Sequence, residues 1–110
     1  MKKKNRVRKA NEFQSMIHGS KKTINESFVC YFAPKKEKEA RVGITLSKKM
    51  GHAVVRNKLK RQVRMMCEEL IDFSDYNKDI VLIVRFGYQS LDYAANKNNL
   101  EKLLLKATIK

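Results

Sequence analysis

The stretch DIVLIVRF, residues 79–86, constrains the fold more than any other part of this sequence. Its apolar residues do not alternate with polar ones, so a strand built from it needs cover on both faces. Such a strand belongs inside a sheet, with helices packed against it. Residues 27–33, SFVCYFA, are rich in aromatic and β-branched residues and read as a second strand. Residues 41–47, RVGITLS, alternate, with Val42, Ile44 and Leu46 on one side and Gly43, Thr45 and Ser47 on the other. That pattern predicts a half-buried strand. Lys22–Asn25 is a candidate for one more short strand. Three segments carry a helical period. In residues 10–18, Phe13, Met16 and Ile17 recur at i, i+3 and i+4, and Gly19 supplies a stop. Residues 54–71 form the second helix. Residues 90–108 form the third, with Leu100, Leu103, Leu104 and Ala107 on its apolar side. The expected order is α-β-β-β-α-β-α, an α/β (α+β) sandwich in a single domain spanning residues 1–110.

Charge narrows the function. The formal net charge is +14, from 25 Lys+Arg against 11 Asp+Glu. Residues 1–64 carry a net of +15 and residues 65–110 a net of −1. Residues 2–9, KKKNRVRK, hold six basic residues and read as a flexible arm, residues 1–9. Residues 41–64 hold eight basic residues and no acid. Solubility alone does not require two such blocks, because a small domain is soluble at a net charge of about 2–8. A phosphate backbone does favour them, since each neutralised phosphate releases counterions. The hydrophobic content of 43% is too high for a disordered basic tail. No apolar run reaches the ~18–20 residues of a membrane span. The basic N-terminus lacks an apolar segment and is not expected to act as a secretory signal. A cytoplasmic protein with a polyanionic partner is expected.

The helix at 54–71 carries the sharpest signal. At about 100° per residue, Val55, Leu59, Val63, Met66 and Leu70 share one face. Arg56, Lys60 and Arg64 form an adjoining stripe at i, i+4 and i+8, which Asn57 and Arg61 extend. Like charges at this spacing cost an isolated helix a few tenths of a kcal/mol each, so the pattern calls for an external counter-charge. Arginine grips phosphate oxygens with a planar fork, and an asparagine amide both donates and accepts.

The block Arg56-Asn57-x-x-Lys60-Arg61-x-x-Arg64, preceded by RVGITLSKKMGHAVV, resembles the RNR signature of the bacterial ribonuclease P protein subunit. The basic arm followed by Glu12-Phe13 is also similar. The resemblance implies a protein cofactor of an RNA-based endoribonuclease that removes the 5′ leader from precursor tRNA. It further implies a mixed sheet with an unusual left-handed crossover. Arg56, Asn57, Lys60, Arg61 and Arg64 would then bind the catalytic RNA subunit. Phe13, Ile17, Val29, Tyr31, Thr45 and Ser47 would line a cleft for the single-stranded leader. Arg6, Arg8, Lys9, Lys48 and Lys49 would add phosphate contacts, and Mg²⁺ would act through the assembled ribonucleoprotein. Ile17 stands where the family often has an aromatic; it packs but cannot stack. The alternative is a small ribosomal or other structural RNA-binding protein, which explains charge and size but not the RNR block.

Phe13, Ile17 and Tyr31 also fit as ordinary core residues, and Phe28, Phe32 and Phe86 read as core. Cys30 and Cys67 read as buried thiols. His18 and His52 lie at loop edges without a nucleophile motif. Asp72, Asp75 and Asp79 are spaced as helix-end and turn residues. No catalytic residue and no metal-ligand set is therefore expected on this chain, and bond chemistry falls to the RNA.

Overall fold

The computed structural model describes residues 1–109; Lys110, the last residue of the expected domain, lies outside the described residues. Three helices are α1 (Ala10–Gly19), α2 (Ala53–Leu70) and α3 (Tyr93–Ile109), and four strands are β1 (Lys21–Ile24), β2 (Phe28–Pro34), β3 (Val42–Leu46) and β4 (Lys78–Val84). The sheet order is β1-β2-β4-β3. β2 runs antiparallel to β1 and β4, and β3 runs parallel to β4. The sheet is mixed and the element order is the expected one, with the short strand at Lys21–Ile24 present.

The strand from the apolar run lies inside the sheet, with neighbours on both sides. Alternate residues of β4 serve two separate layers. Ile80, Leu82 and Val84 join Phe28, Cys30, Phe32 and Val42 under α2 and α3, where Val63, Met66, Leu100 and Leu103 are also buried. Val81 faces the other way, into a smaller cluster with Val7 and Met16, flanked by Phe13, Ile17 and Tyr31. Helix α1 thus sits alone on one face of the sheet, and α2 and α3 cover the other.

Local chemistry sets the boundaries. Gly51 has φ +140°, a conformation that favours glycine, and a side chain there would press on Val55. This turn joins β3 to α2. Asp92 accepts from the Ala95 amide at 2.8 Å and so starts α3. Cys30 and Cys67 are fully buried, as expected.

Three expectations need correcting. Phe86 is not core: it is 57% exposed. β4 ends at Val84, and the chain then turns into the short 3-10 segment Phe86–Ser90, beyond the sheet. Asp79 is not a turn residue. It sits within β4 at 2% exposure, its carboxylate held by the Arg41 amide at 2.9 Å and the Arg41 guanidinium at 3.4 Å. Val55 leaves the buried face of α2 at 39% exposure, because that end of the helix overhangs the Gly51 turn rather than the sheet.

The expected flexible arm also has a definite place here. The Val7 amide donates to the Val42 carbonyl at 3.0 Å, and Arg6 forms an isolated parallel bridge with Val42. Asn5 is buried, donating to Glu39 and to the Ala40 carbonyl at 3.0 Å each. Lys4 pairs with the same Glu39. The arm therefore extends the β3 edge of the sheet. Burial of Val7 and pairing of Asn5 hold it there.

Candidate nucleic-acid interface

The cationic stripe has the geometry its spacing implies. Leu59, Val63 and Met66 are buried, which turns Asn57 and Arg61 to solvent and leaves Arg56, Lys60 and Arg64 half-exposed. None of the ion pairs among the described residues involves Arg56, Lys60, Arg61 or Arg64. The acids of α2 lie elsewhere: Glu68 pairs with the N-terminal amine and Glu69 with Lys97. The Nε of Arg56 is buried with no partner. The positive charge of this helix is therefore uncompensated within the fold.

A cleft of about 490 Å³ opens beside it. Its walls are Arg6 and Arg8 of the arm, Phe13 and Ile17 of α1, Thr45 of β3, and Lys60 and Arg64 of α2. Members of the two groups singled out from sequence thus meet in one place, because the β3–α2 connection brings the stripe beside the edge strand that carries the arm and meets Phe13 of α1 at Gly43. Of the remaining candidates, Tyr31 packs beside Phe13 and Ile17 on the sheet face. Ser47 is not on the cleft wall. It lies past the end of β3, where its hydroxyl accepts from the Lys49 amide at 3.1 Å. Lys48 and Lys49 are exposed in that turn, and Lys9 is exposed where α1 begins.

Strand register exposes a residue that sequence reasoning missed. On the α1 face of the sheet, Val29 of β2 pairs with Ile83 of β4, and Ile83 pairs with Thr45 of β3. Ile83 therefore lies between two predicted cleft residues and is half-exposed. An apolar run without alternation gives no sign of which member faces the cleft. Sheet order supplies it.

The position of α1 depends on a charged cluster. Arg41 Nη1 donates to Glu12 at 2.6 Å, and Arg41 also pairs with buried Asp79. Burial disfavours the Arg41 charge, but the Glu12 hydrogen bond and the Asp79 charge outweigh it, so its pKa is raised and it stays ionised. Glu12 precedes Phe13, so this bond fixes α1 near the cleft. A second cavity of about 510 Å³, between the arm and residues 37–41, contains Lys4, Glu39, Arg41 and Glu12. Two ion pairs, Lys4–Glu39 and Arg41–Glu12, lie within it, and Lys3, Arg8, Lys9 and Lys38 line it without an ion pair among the described residues.

His18 contacts Gln14, and His52 precedes α2 without capping it through its side chain. Burial pushes the thiols of Cys30 and Cys67 up to about 12. Among the described residues no three His, Cys, Asp or Glu side chains converge.

An uncompensated cationic helix beside a half-apolar cleft, on a small mixed sandwich, is the surface of a single-domain protein suited to a polyanion such as a nucleic acid. Comparison with known proteins makes the class specific. The sequence profile of the ribonuclease P family matches residues 1–108. The ribonuclease P protein component of Bacillus cereus (strain AH187) is 40% identical, over 100% of this chain and 96% of that protein. That of Streptococcus agalactiae serotype Ia is 42% identical over 94% of each. Among solved structures, a Staphylococcus aureus RNase P protein mutant with defective mRNA degradation activity superposes with a TM-score of 0.84 at 33% identity, covering 96% of this chain and 90% of that one. The RNase P protein from Thermotoga maritima gives 0.78 at 30%, covering 92% and 96%.

The chain belongs to the ribonuclease P protein family. It is the protein component of an endoribonuclease holoenzyme, a cofactor in 5′ processing of tRNA that works with a catalytic RNA subunit. A ribosomal or other structural RNA-binding role is not favoured, since the family match spans nearly the whole chain. No described helix is long and apolar enough to cross a membrane.

Proposed function

We propose that the two halves of this interface divide the work of the holoenzyme. Arg56, Asn57, Lys60, Arg61 and Arg64 bind the RNA subunit. The cleft with Phe13, Ile17, Tyr31 and Thr45, floored further by Val29 and Ile83, takes the single-stranded leader of precursor tRNA. Arg6, Arg8, Lys9, Lys48 and Lys49 add phosphate contacts around it, and Ser47 acts by holding the Lys48–Lys49 turn. The observation that carries this reading is the shared wall: Lys60 and Arg64 line the same cleft as Phe13, Ile17 and Thr45. An RNA seated on the stripe thereby delivers its substrate's flanking strand to an apolar surface suited to bases.

The donor set does not fit a protein-borne Mg²⁺ site, because among the described residues no carboxylate lines the cleft and Glu12 and Asp79 are both occupied by Arg41. We place Mg²⁺ on RNA phosphates and the bond chemistry with it. The chain contributes charge neutralisation and positioning, which raise the local occupancy of cations and align the substrate. We place the protein in the cytoplasm, with its tRNA precursors.

The test is RNA-subunit affinity as a function of salt for Arg61→Ala and Arg64→Ala, with circular dichroism as the fold control. Each lost phosphate contact should lower the log–log slope by about 0.7–0.9. Unchanged affinity and slope in both variants would remove this helix face from the RNA interface.

A further inference from the structure

On the α1 side of the sheet, side chains form rows across the strands. Lys22, Tyr31, Val81 and Gly43 make one row, and Ile24, Val29, Ile83 and Thr45 make the next. Helix α1 is ten residues long and covers the first row through Phe13, Met16 and Ile17. The second row is left open: Ile24 is 47% exposed, and Val29, Ile83 and Thr45 are half-exposed.

This open row continues out of the cleft. Thr45 lines the cleft, and its direct cross-strand partner Ile83 lines a separate cavity of about 580 Å³ with Arg85, Phe86 and Leu91. The turn after β1 closes the far end, since Arg85 donates to the Asn25 carbonyl at 2.7 Å and its amide to the Ser27 carbonyl at 2.9 Å. Phe86, three residues beyond Ile83 and past the end of β4, lines this same cavity at 57% exposure, beside an arginine. At a strand spacing of about 4.8 Å, the row from Thr45 to Ile24 runs about 14 Å across the sheet. A large exposed aromatic beside the Ile83 position of an apolar row is an unusual surface on so charged a chain.

We infer that Phe86, with Arg85, forms a second base-stacking site in the cavity they share with Ile83, and that it takes leader nucleotides farther from the cleavage site than those in the cleft. The inference rests on the leader reading proposed above and extends it. Direction follows from sheet order. β3 is the edge strand beside Lys60 and Arg64, so a strand entering there and crossing Ile83 moves away from the RNA-binding helix. Its distal bases then reach Phe86. Stacking on an aromatic face tolerates any base, and Arg85 pairs with the passing phosphate. Glu26 also lines this cavity, and its carboxylate disfavours a phosphate placed against it.

The experiment uses reconstituted holoenzyme and precursor tRNAs whose leaders are lengthened one nucleotide at a time. For the native protein, affinity should rise in two stages. Phe86→Ala should remove only the later stage, by about five-fold or more, and Phe86→Tyr should restore it. Phe13→Ala should remove the earlier stage. Phe86 is largely exposed, so the fold should survive its substitution. If Phe13→Ala gives its leader-dependent loss while Phe86→Ala changes nothing at any length, the second site is wrong and the cleft reading stands. If Phe13→Ala gives no leader-dependent loss, the cleft reading itself fails. Equal loss for a single-nucleotide leader would make Phe86 an RNA-subunit contact, and altered sedimentation of the free protein without a leader effect would make it a protein contact. Either result overturns the proposal.

Discussion

The ring of Phe13 lies directly over Gly43, so close that a side chain at residue 43 would place its Cβ 2.7 Å from Cε1 and 2.8 Å from Cζ. Val7 stands 3.0 Å from the same point. The glycine is thus the seat of an aromatic that walls the cleft. Gly43→Ala should displace the ring, with overpacking costing about 1–3 kcal/mol. Affinity for precursor tRNA should fall while affinity for mature tRNA holds. Thermal unfolding and parallel binding of the two ligands measure this. Equal affinities for native protein and variant would show that the seat of Phe13 does not matter for substrate.

Phe13→Ala and Tyr31→Ala should separate substrate from product. A base–aromatic contact is worth roughly 1–3 kcal/mol, so precursor affinity should fall about five-fold to a hundred-fold. Mature tRNA lacks the leader and should bind as before. Equal losses for both ligands would return these residues to a purely structural role.

Removing Asp79 should weaken the whole fold. It leaves the largely buried Arg41 without its buried partner, a change that costs about 3–5 kcal/mol. Asp79→Ala should lower the urea midpoint accordingly. Arg41→Met combined with Asp79→Leu should lose less than the two single losses together, because the pair interacts directly. Additive losses would show that the pair is not coupled.

Docking of the arm should depend on pH. Hydrogen bonds from Asn5 and then Lys4 hold the Glu39 carboxyl below its ordinary 4.5. A lowered folded-state value means a stabilising contribution that is present above the ordinary value and is lost as pH falls through the lowered one. The side-chain amide resonances of Asn5 should therefore shift with a midpoint below 4.5, and Glu39→Gln should abolish that transition. A midpoint at the ordinary value would show that Glu39 does not hold the arm.

Neither the thiols nor the histidines should matter for cleavage. Burial pushes the thiols of Cys30 and Cys67 up to about 12, so both stay protonated and unreactive near neutral pH. Thiol modification should track global unfolding. Conservative substitution of His18, His52, Cys30 or Cys67 should leave the saturating cleavage step within a few-fold, whereas a lost acid–base group costs about 10² or more. A loss of that size from a folded variant would place chemistry on the protein.

Features confined to one element were readable directly. The apolar face and cationic stripe of α2 are set by 3.6 residues per turn, and Leu59, Val63, Met66 and the uncompensated arginines lie where that period puts them. The same holds for Leu100, Leu103, Leu104 and Ala107 on α3. Misreadings came where a residue's neighbours are distant in sequence. Asp79 is written like a turn residue, but its partner is 38 positions away in Arg41. The seat of the basic arm was not legible for the same reason, since Asn5 meets Glu39 34 positions on.

Sequence alone determined the element types, their order, the buried faces of α2 and α3, and the excess of charge near the N-terminus. These follow from local periodicity and side-chain chemistry, which no distant contact has to supply. Tertiary structure decided that β4 lies between β2 and β3, and hence that Ile83 joins Val29 and Thr45. It also decided that α1 covers one row of that sheet face and leaves the next open, and that Lys60 and Arg64 share a wall with Phe13. A strand's period of two says only that alternate residues part company; which surface each meets is settled by the strands and helices that close around it.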